Sequence, residues 1–448
     1  MNSLTPDSDR LAVVIIHGIG EQEPMATLRT FAESIIPAPE HNEFGVKEKF
    51  YVKPDSLSEL FDLRRITIPR DKDKTRMKTD FYEYYWAHQI RDTKLNDVLS
   101  WIASIFLGYK NVPPRLRGLH TTLLLVILLI PIAIILLLIF VPFVKTYWAA
   151  FLAAGAGSVY MILKVIRYFI SSVSINFIGD AARYFTAKPG NIINRQRIRQ
   201  EGIALLRKLH GEQVGDKPAG HPYKRIVIVS HSLGSVIAYD LMTILWSSYH
   251  NKFDKFSEEQ QIKLREMQEK VKELNNIQDE QLKSEQLAAF QQLQSDLMDA
   301  SVAAGNPWRI TDFITLGSPL AHAQLLMAKG KEGLAAMKKE RLFPTCPPSL
   351  EAQQVISYNE IFNFEGDPKR KLKVLHHAAP FAFTRWTNLW FKNDFVGGPM
   401  PQSFGKGIED IELRSKTHDK LPFLSHTCYW DPGESESIEK IRDIIFRQ

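Results

Sequence analysis

One serine has surroundings that predict nucleophilic chemistry. Ser232 lies in the segment I-V-S-H-S-L-G-S-V, residues 228–236. A serine hydroxyl is a useful nucleophile only when a base takes its proton and hydrogen-bond donors receive the oxyanion. A sharp strand-to-helix turn supplies this geometry when the residues two before and two after the serine are small. Ser230, which departs from the usual glycine, and Gly234 occupy those two positions.

The context of this turn matters more than its spacing, which occurs by chance about once in a chain of this size. Residues 226–229 are a continuous apolar run, typical of a buried parallel strand, and residues 233–246 have the apolar spacing of a helix. A nucleophile elbow needs a strand before the serine and a helix after it. We therefore predict that Ser232 is a nucleophile.

A second turn, with the sequence H-G-I-G, is predicted to complete the oxyanion hole. It follows the apolar run of residues 11–16, which predicts another buried strand. In such sites one N–H comes from the residue after the nucleophile and another from an early strand-to-helix loop. We expect the N–H groups of Leu233 and Ile19 to fill these roles. The turn residues around them are His17, with a structural role, Gly18 and Gly20.

An acid and a histidine follow the serine in the chain order expected for such a triad. Asp394 comes just after residues 386–391, which predict a strand, so it lies past a strand end. We favour His426 as the base, because the segment L-S-H-T-C-Y-W around it is apolar. His418, in the polar run S-K-T-H-D-K, remains an alternative base.

Other acids and histidines leave the triad open. Asp410 and Asp431 are alternative acids, since an Asn-Asp pair is also a common turn. His376 and His377 precede Asp394, which fits the chain order badly, and we interpret both as surface histidines. We find no metal-ligand spacing and no glycine-rich phosphate loop after a strand, so we expect no metal and no cofactor.

A long uncharged segment predicts contact with a membrane. Residues 119–144 contain no Asp, Glu, Lys or Arg, and the shorter segment 146–163 is rich in glycine and alanine. A bilayer core needs about 20 apolar residues in a helix. Basic residues flank the two segments, which places both flanks in the cytoplasm. We predict a transmembrane or re-entrant helical hairpin, with a buried pair of core helices as the less favoured alternative.

A second insertion is charged rather than apolar. Residues 254–300 are rich in Gln, Glu and Lys, and Ser257 with Gln260 forms a capping box. The apolar positions keep the narrow spacing of a helical stripe: Leu264, Met267, Val271 and Leu274. We predict a helical hairpin that serves as an arm or cap, and a solvated helix pair without a role in chemistry is its simplest interpretation.

Strands that alternate with helices predict an α/β fold with a mostly parallel sheet and helices on both faces. Residues 330–380 are expected to be rich in loops. The predicted parts are the N-terminal part of the sheet (1–110), the membrane hairpin (119–170), the elbow part (190–250), the charged arm (254–300) and the C-terminal part with the acid and the histidine (305–448).

The composition is that of a folded protein, with 45% hydrophobic and 24% charged residues in 448. The net charge of +6 is a mild excess, and we expect no nucleic-acid partner. Cys346 and Cys428 fit neither a disulfide framework nor a metal site, which favours a reducing compartment. The first ten residues lack the pattern of a secretory signal.

Four segments together resemble the serine esterase and lipase branch of the α/β-hydrolase superfamily: H-G-I-G, S-H-S-L-G-S-V-I-A-Y-D, F-I-T-L-G-S-P-L and N-D-F-V. The elbow and the L-G-S-P-L segment are most similar to intracellular DDHD-type phospholipases A1 and related serine esterases. The resemblance covers the predicted sheet and neither insertion. It implies that Ser232 is the nucleophile, Asp394 the acid and His426 the base.

We therefore expect a membrane-anchored serine hydrolase with its catalytic domain on the cytoplasmic side. Its substrate is expected to be a carboxylic ester of a lipid or phospholipid, reached from the bilayer and cleaved through an acyl-enzyme. One alternative is a thioesterase or protein deacylase. Another is an inactive membrane scaffold that binds a protein partner through residues 255–300.

Overall fold

A computed structural model describes most of the chain outside the predicted membrane hairpin. The described residues are 10–18, 23–36, 49–55, 57, 63–70, 76–89, 121, 184–185, 189–215, 222–276, 280–328, 330–351, 355–364, 369–416 and 425–447. The chain divides into two compact units, one formed by residues 1–89 and 192–448, the other by residues 90–191. The sheet and the candidate site described below belong to the first unit.

The strands and helices alternate along the chain. The strands are β1 (Arg10–Ile16), β2 (Tyr51–Pro54), β3 (Arg64–Ile68), β4 (Lys78–Tyr84), β5 (Arg225–His231), β6 (Ile310–Leu316), β7 (Ser357–Phe362), β8 (Arg370–Leu375), β9 (Arg385–Phe391) and β10 (Glu409–Leu413). The helices are α1 (Ala26–Ile35), α2 (Pro189–Leu209), α3 (Leu233–Tyr249), α4 (Glu258–Asn276), α5 (Glu280–Ala303), α6 (Ala323–Leu326), α7 (Gly330–Lys339), α8 (Pro401–Phe404) and α9 (Ser435–Ile445).

The central sheet has eight strands in the order β10-β9-β6-β5-β1-β4-β3-β2. Neighbours from β10 to β4 pair in parallel, and β2 and β3 add an antiparallel edge. The apolar runs that predicted buried strands lie in β1 and β5, because central parallel strands are covered on both faces, and the segment predicted as a strand at residues 386–391 lies in β9. The prediction of an α/β fold with a mostly parallel sheet is confirmed.

Helices cover both faces of this sheet. Alternate residues of β1, namely Leu11, Val13 and Ile15, share one core with apolar side chains of α1 and α9. On the other face α2 and α3 pack closely. A Cβ added at Gly202 of α2 would lie 2.5 Å from Leu241 of α3 and 3.1 Å from Tyr84 of β4.

The charged insertion forms a helical hairpin of α4 and α5. Gln260 N donates to Ser257 Oγ at 3.2 Å, as the capping box predicts. The four residues of the apolar stripe are at most 1% exposed. The side chain of Gln294 in α5 donates to Phe381 O at 2.7 Å and to Thr384 O at 2.9 Å. The hairpin therefore packs on the body of the fold and is more than a solvated arm.

The predicted membrane hairpin lies outside the described residues, apart from Thr121. Within the described ranges, no helix combines the length and apolar character needed to cross a bilayer.

Glu83 is a buried carboxyl group near the end of β4 that fixes the start of α1. It is 2% exposed, and its Oε2 accepts a hydrogen bond from Met25 N at 2.7 Å. Met25 precedes α1 with a left-handed φ of 72°. Burial raises the pKa of Glu83 to about 7, and the hydrogen bond from Met25 only partly opposes this effect.

We expect Glu83→Gln to remove a pH-dependent loss of stability. The unfolded carboxyl group ionises near its ordinary pKa of 4.5, whereas the folded one keeps its proton until about pH 7. The folded state therefore binds more protons between these values, and stability falls as pH rises. Between about pH 4.5 and about pH 8 the wild type should lose about 3 kcal/mol of unfolding free energy that the variant keeps. Urea unfolding at both pH values measures it, and a pH-independent difference would contradict the assignment.

Candidate active site

Ser232 lies in a strained turn between β5 and α3. Its backbone has φ 53° and ψ −131°, which a non-glycine residue rarely adopts and which is typical of functional sites. Ser232 N donates to Leu316 O at 3.0 Å. Ser232 O accepts hydrogen bonds from Ser235 N at 3.0 Å and Ser235 Oγ at 2.6 Å. Hydrogen bonds at both the N–H and the carbonyl group of Ser232 hold the turn in place.

The two small residues around Ser232 are required by close packing. A Cβ at Gly234 would lie 2.3 Å from His17 O and from Ile16 O, inside any acceptable contact. Ser230 is fully buried, and its Oγ donates to Ile314 O at 3.0 Å on the neighbouring strand. A serine is therefore accommodated where a glycine is usual, because its hydroxyl group has a backbone acceptor.

We expect Gly234→Ala to destabilise the fold by about 3 kcal/mol or more, because the added methyl group must displace the backbone after β1. Gly190→Ala is the matched control, since a Cβ at Gly190 has no neighbour within 4 Å. Urea unfolding of both variants measures the difference. Equal stabilities would show that the turn does not need a glycine at position 234.

His426 and Asp394 form a hydrogen-bonded pair next to the elbow. His426 Nδ1 lies 2.9 Å from Asp394 Oδ2 and 3.1 Å from Oδ1. Because a carboxylate only accepts hydrogen bonds, Nδ1 carries the proton and Nε2 is the nitrogen that can take one. This is the tautomer that a general base requires.

Asp394 is held as a carboxylate. Its Oδ2 accepts a hydrogen bond from the Tyr429 hydroxyl at 2.8 Å, and its Oδ1 accepts one from Val396 N at 2.8 Å. Burial by itself would raise the pKa of Asp394, but the charge and hydrogen bond of His426, with the Gly397 N–H and the Tyr429 hydroxyl, hold that pKa well below its ordinary value. Asp394 therefore keeps its negative charge beside the imidazole.

The structure distinguishes Asp394 from Asp410. Asp410 accepts hydrogen bonds from the side chains of Asn388 at 2.7 Å and Trp390 at 3.0 Å. Met400 N also donates to it, at 3.1 Å. These bonds tie β10 to β9, which is a structural role, whereas Asp394 contacts the imidazole of the proposed base.

The G-S-P turn after β6 lies between the elbow and the pair formed by Asp394 and His426. A Cβ at Gly317, whose φ is 54°, would lie 2.7 Å from Asp394 Oδ2 and 3.0 Å from His426 Nδ1. The next residue, Ser318, has its Oγ 2.5 Å from Ser235 Oγ. Only a glycine leaves room for the pair, and the serine anchors the same turn to the helix that starts at the elbow.

His231, the residue before Ser232, binds the backbone of His426, the predicted base. Its Nε2 donates to His426 O at 2.7 Å, and the two rings lie 4.8 Å apart. Ser232 Oγ makes no hydrogen bond within the described ranges, so no bond to His426 is formed in this structure. Catalytic hydrogen bonds are often long before substrate binds.

Burial makes His17 and His231 poor bases. It lowers the pKa of His17 to about 4 and that of His231 to about 3, so both stay neutral near neutral pH. The His17 ring stacks on Trp86 with a centroid distance of 5.2 Å, and Trp86 Nε1 donates to His17 O at 2.9 Å. This packing describes a structural role for His17.

The residues of the predicted oxyanion hole are described in part. Leu233 N is the first amide of α3, a position without an acceptor inside its own helix. Gly18 lies against Ser232, because a Cβ there would be 2.9 Å from Ser232 Cβ. Ile19 and Gly20 lie outside the described residues, and so does the alternative base His418.

Two residues at the site were not predicted from the sequence, and the surroundings of a third were predicted wrongly. Tyr429 and His231 contact the acid and the base, and neither was predicted. The features of the sequence that could have indicated them are their positions, three residues after His426 for Tyr429 and directly before Ser232 for His231. The interpretation of His376 as a surface residue is wrong: it is 2% exposed, and its Nε2 donates to Ser349 O at 3.0 Å, because the loop after β8 folds inward.

We expect His231→Phe to lower kcat for ester hydrolysis, the activity predicted from the sequence, by about 10-fold to 100-fold. Without the hydrogen bond to its carbonyl group, the His426 imidazole can move out of position. His376→Phe is the matched control, since it also removes a buried histidine bonded to a carbonyl group, away from the site. Steady-state kinetics and unfolding of both variants separate positioning from stability. Equal losses of kcat would argue against a positioning role.

Ser232, Asp394 and His426 come from three loops at the carboxyl edge of the sheet, where parallel folds place their sites. Comparisons of the chain with protein-family models, with curated proteins and with solved structures find no match.

Proposed function

We propose that this protein is a serine hydrolase that cleaves a carboxylic ester through an acyl-enzyme. The observation that carries the proposal is the buried Asp394–His426 pair, with an Nδ1–Oδ2 distance of 2.9 Å, beside a serine held at φ 53°. A strained serine turn alone has many uses. An oriented imidazole beside it is the arrangement that activates a hydroxyl group.

The chemistry follows from these positions. Ser232 Oγ attacks the carbonyl carbon while His426 Nε2 takes its proton, and Asp394 stabilises the imidazolium. The oxyanion receives the Leu233 N–H and, by sequence, that of Ile19. The imidazolium then gives its proton to the leaving alcohol oxygen as the ester C–O bond breaks. Water, deprotonated by His426, releases the acid and restores the serine.

The lipid substrate and the membrane location are parts of the same proposal. Their support is the uncharged segment 119–144 and the basic residues around the hairpin. A catalytic unit tethered on the cytoplasmic side meets esters that lie in the bilayer. We therefore propose an acyl ester of a membrane lipid, with phospholipids first, as the substrate class.

A direct comparison of substrates tests this proposal. The purified full chain is incubated with a phospholipid in vesicles and, separately, with an acyl thioester, and released fatty acid is measured by mass spectrometry. We expect fatty acid and lysophospholipid from the vesicles, at a higher rate than fatty acid from the thioester. The reverse order would assign a thioesterase or deacylase. Turnover of neither substrate by folded protein would contradict hydrolysis.

A further inference from the structure

A small cavity lies beside β4 at the same edge of the sheet as the elbow. Its volume is about 110 Å³, and its walls combine leucines with Glu83, Tyr84, Tyr85, His88, Glu201 and Lys208. Tyr84 is paired with Ile16, the residue before His17, so the cavity lies next to the end of β1. Carboxyl edges of parallel sheets are where ligands bind.

One wall of this cavity carries an unsatisfied hydrogen-bond acceptor. Glu83 is 2% exposed, and Met25 N donates to its Oε2. Its Oε1 is buried and makes no hydrogen bond with any residue in the described ranges. A buried polar atom without a partner costs free energy, so such atoms are rare unless they serve a function. A hydrogen-bond donor inside the cavity would satisfy Oε1.

Most other polar groups of the walls already have partners. Lys208 Nζ donates to Leu57 O at 2.9 Å. Glu201 Oε1 accepts a hydrogen bond from the side chain of Gln89, and its Oε2 lies 3.5 Å from His88 Nε2. The Tyr84 hydroxyl donates to Ile198 O. His88 Nδ1 is also buried without a hydrogen-bond partner in the described ranges. Glu83 Oε1 and His88 Nδ1 therefore remain to bind a ligand, and Glu83 is the one that can carry a negative charge.

The charges and surfaces of the walls indicate which donor fits. Above about pH 7, where Glu83 is ionised, the two carboxylates outnumber the one lysine, so one positive charge balances the walls. The rings of Tyr85 and His88 stack at 5.6 Å, and aromatic walls accept both alkyl groups and cations. A primary ammonium has N–H donors for Glu83 Oε1, whereas a quaternary ammonium has none.

We propose that this cavity binds the primary ammonium group of a small ligand, with Glu83 Oε1 as its acceptor. The site is separate from the proposed triad and does not depend on hydrolysis. Two sources share this chemistry: a free small amine and the head group of an aminophospholipid.

The test compares ethanolamine with choline, on the full chain carrying Ser232→Ala so that no turnover interferes. Saturable binding is measured by calorimetry at about pH 8, where Glu83 is ionised. We expect ethanolamine to bind about tenfold or more tighter than choline, and Glu83→Gln to weaken ethanolamine by about tenfold or more. Equal affinities for the two ligands, or an affinity unchanged by Glu83→Gln, would overturn the proposal.

Two further variants keep this test independent of folding. Glu83→Gln retains an oxygen that can accept from Met25 N, and Ala204→Leu fills the cavity without changing Glu83. Ala204→Leu is expected to abolish ethanolamine binding with a wild-type unfolding transition, and retained binding would overturn the proposed location. Glu266→Gln, on the exposed side of α4, is the control and should bind as wild type.

Vesicles distinguish the two sources of the amine. If the ligand is a lipid head group, phosphatidylethanolamine vesicles retain more protein than phosphatidylcholine vesicles, and Glu83→Gln removes the difference. If it is a free amine, both vesicles retain the protein equally while ethanolamine still binds. Both results support the ammonium site. Failure of ethanolamine to bind leaves the proposed hydrolase untouched, because that function is tested at Ser232.

Discussion

Ser232→Ala is expected to lower ester hydrolysis by about 10⁶-fold, the loss seen when a serine nucleophile is removed from an intact triad. The change deletes only Oγ, which makes no hydrogen bond within the described ranges, so no buried partner is left unsatisfied. Alanine is no larger than serine at the strained φ of 53°. Steady-state hydrolysis and urea unfolding of the same preparations measure activity and stability separately.

Ser235→Ala is the matched control for this prediction. Ser235 is also a buried serine in the first turn of α3, but its Oγ donates to Ser232 O at 2.6 Å and serves the shape of the turn. We expect a loss of about tenfold from the looser elbow. If the Ser232 variant kept more activity than the Ser235 variant, the nucleophile would have to be sought elsewhere.

Asp394→Asn is expected to lower kcat by about 10⁴-fold with little change in the fold. The amide oxygen can still accept a hydrogen bond from Val396 N. The amide nitrogen, however, would donate to His426 Nδ1 and move the imidazole proton to Nε2, where it blocks the general base. Steady-state kinetics with a soluble ester measures the effect.

Asp410→Asn provides the comparison for this acid. Sequence reasoning leaves both aspartates open, and the structure gives Asp410 contacts with Asn388 and Trp390 on β9. A loss of at most about tenfold is expected there. Comparable losses at the two positions would mean that Asp394 has no special relation to the base.

The central strands could be predicted because burial on both faces leaves a continuous apolar run, as in residues 11–16 and 226–229. Edge strands lack this signal. Strand β10, with the sequence E-D-I-E-L, and the hairpin of β7 and β8 are partly exposed and carry charges. For that reason residues 330–380 were expected to be loops, although α7, β7 and β8 lie within them.

The candidate site was predictable where its geometry is local. The elbow needs small residues at fixed spacings from Ser232, with a strand before it and a helix after it. Residues 226–246 therefore contain the whole pattern that predicts the elbow. The acid and base depend on contacts between distant segments. Gly317 leaves room for Asp394 and His426, and Tyr429 bonds to Asp394 across the site. No spacing within the sequence encodes these approaches, so Asp394 and Asp410 could not be separated without the fold.

The most direct test of the central claim, that His426 activates Ser232, is labelling of the full chain with a fluorophosphonate probe followed by mass-spectrometric mapping of the modified peptide. We expect wild-type protein and His418→Ala to carry the label on Ser232, His426→Ala to react far more slowly, and Ser232→Ala to remain unlabelled. Absence of labelling in well-folded wild-type protein, or loss of labelling in His418→Ala while His426→Ala still reacts, would contradict this account.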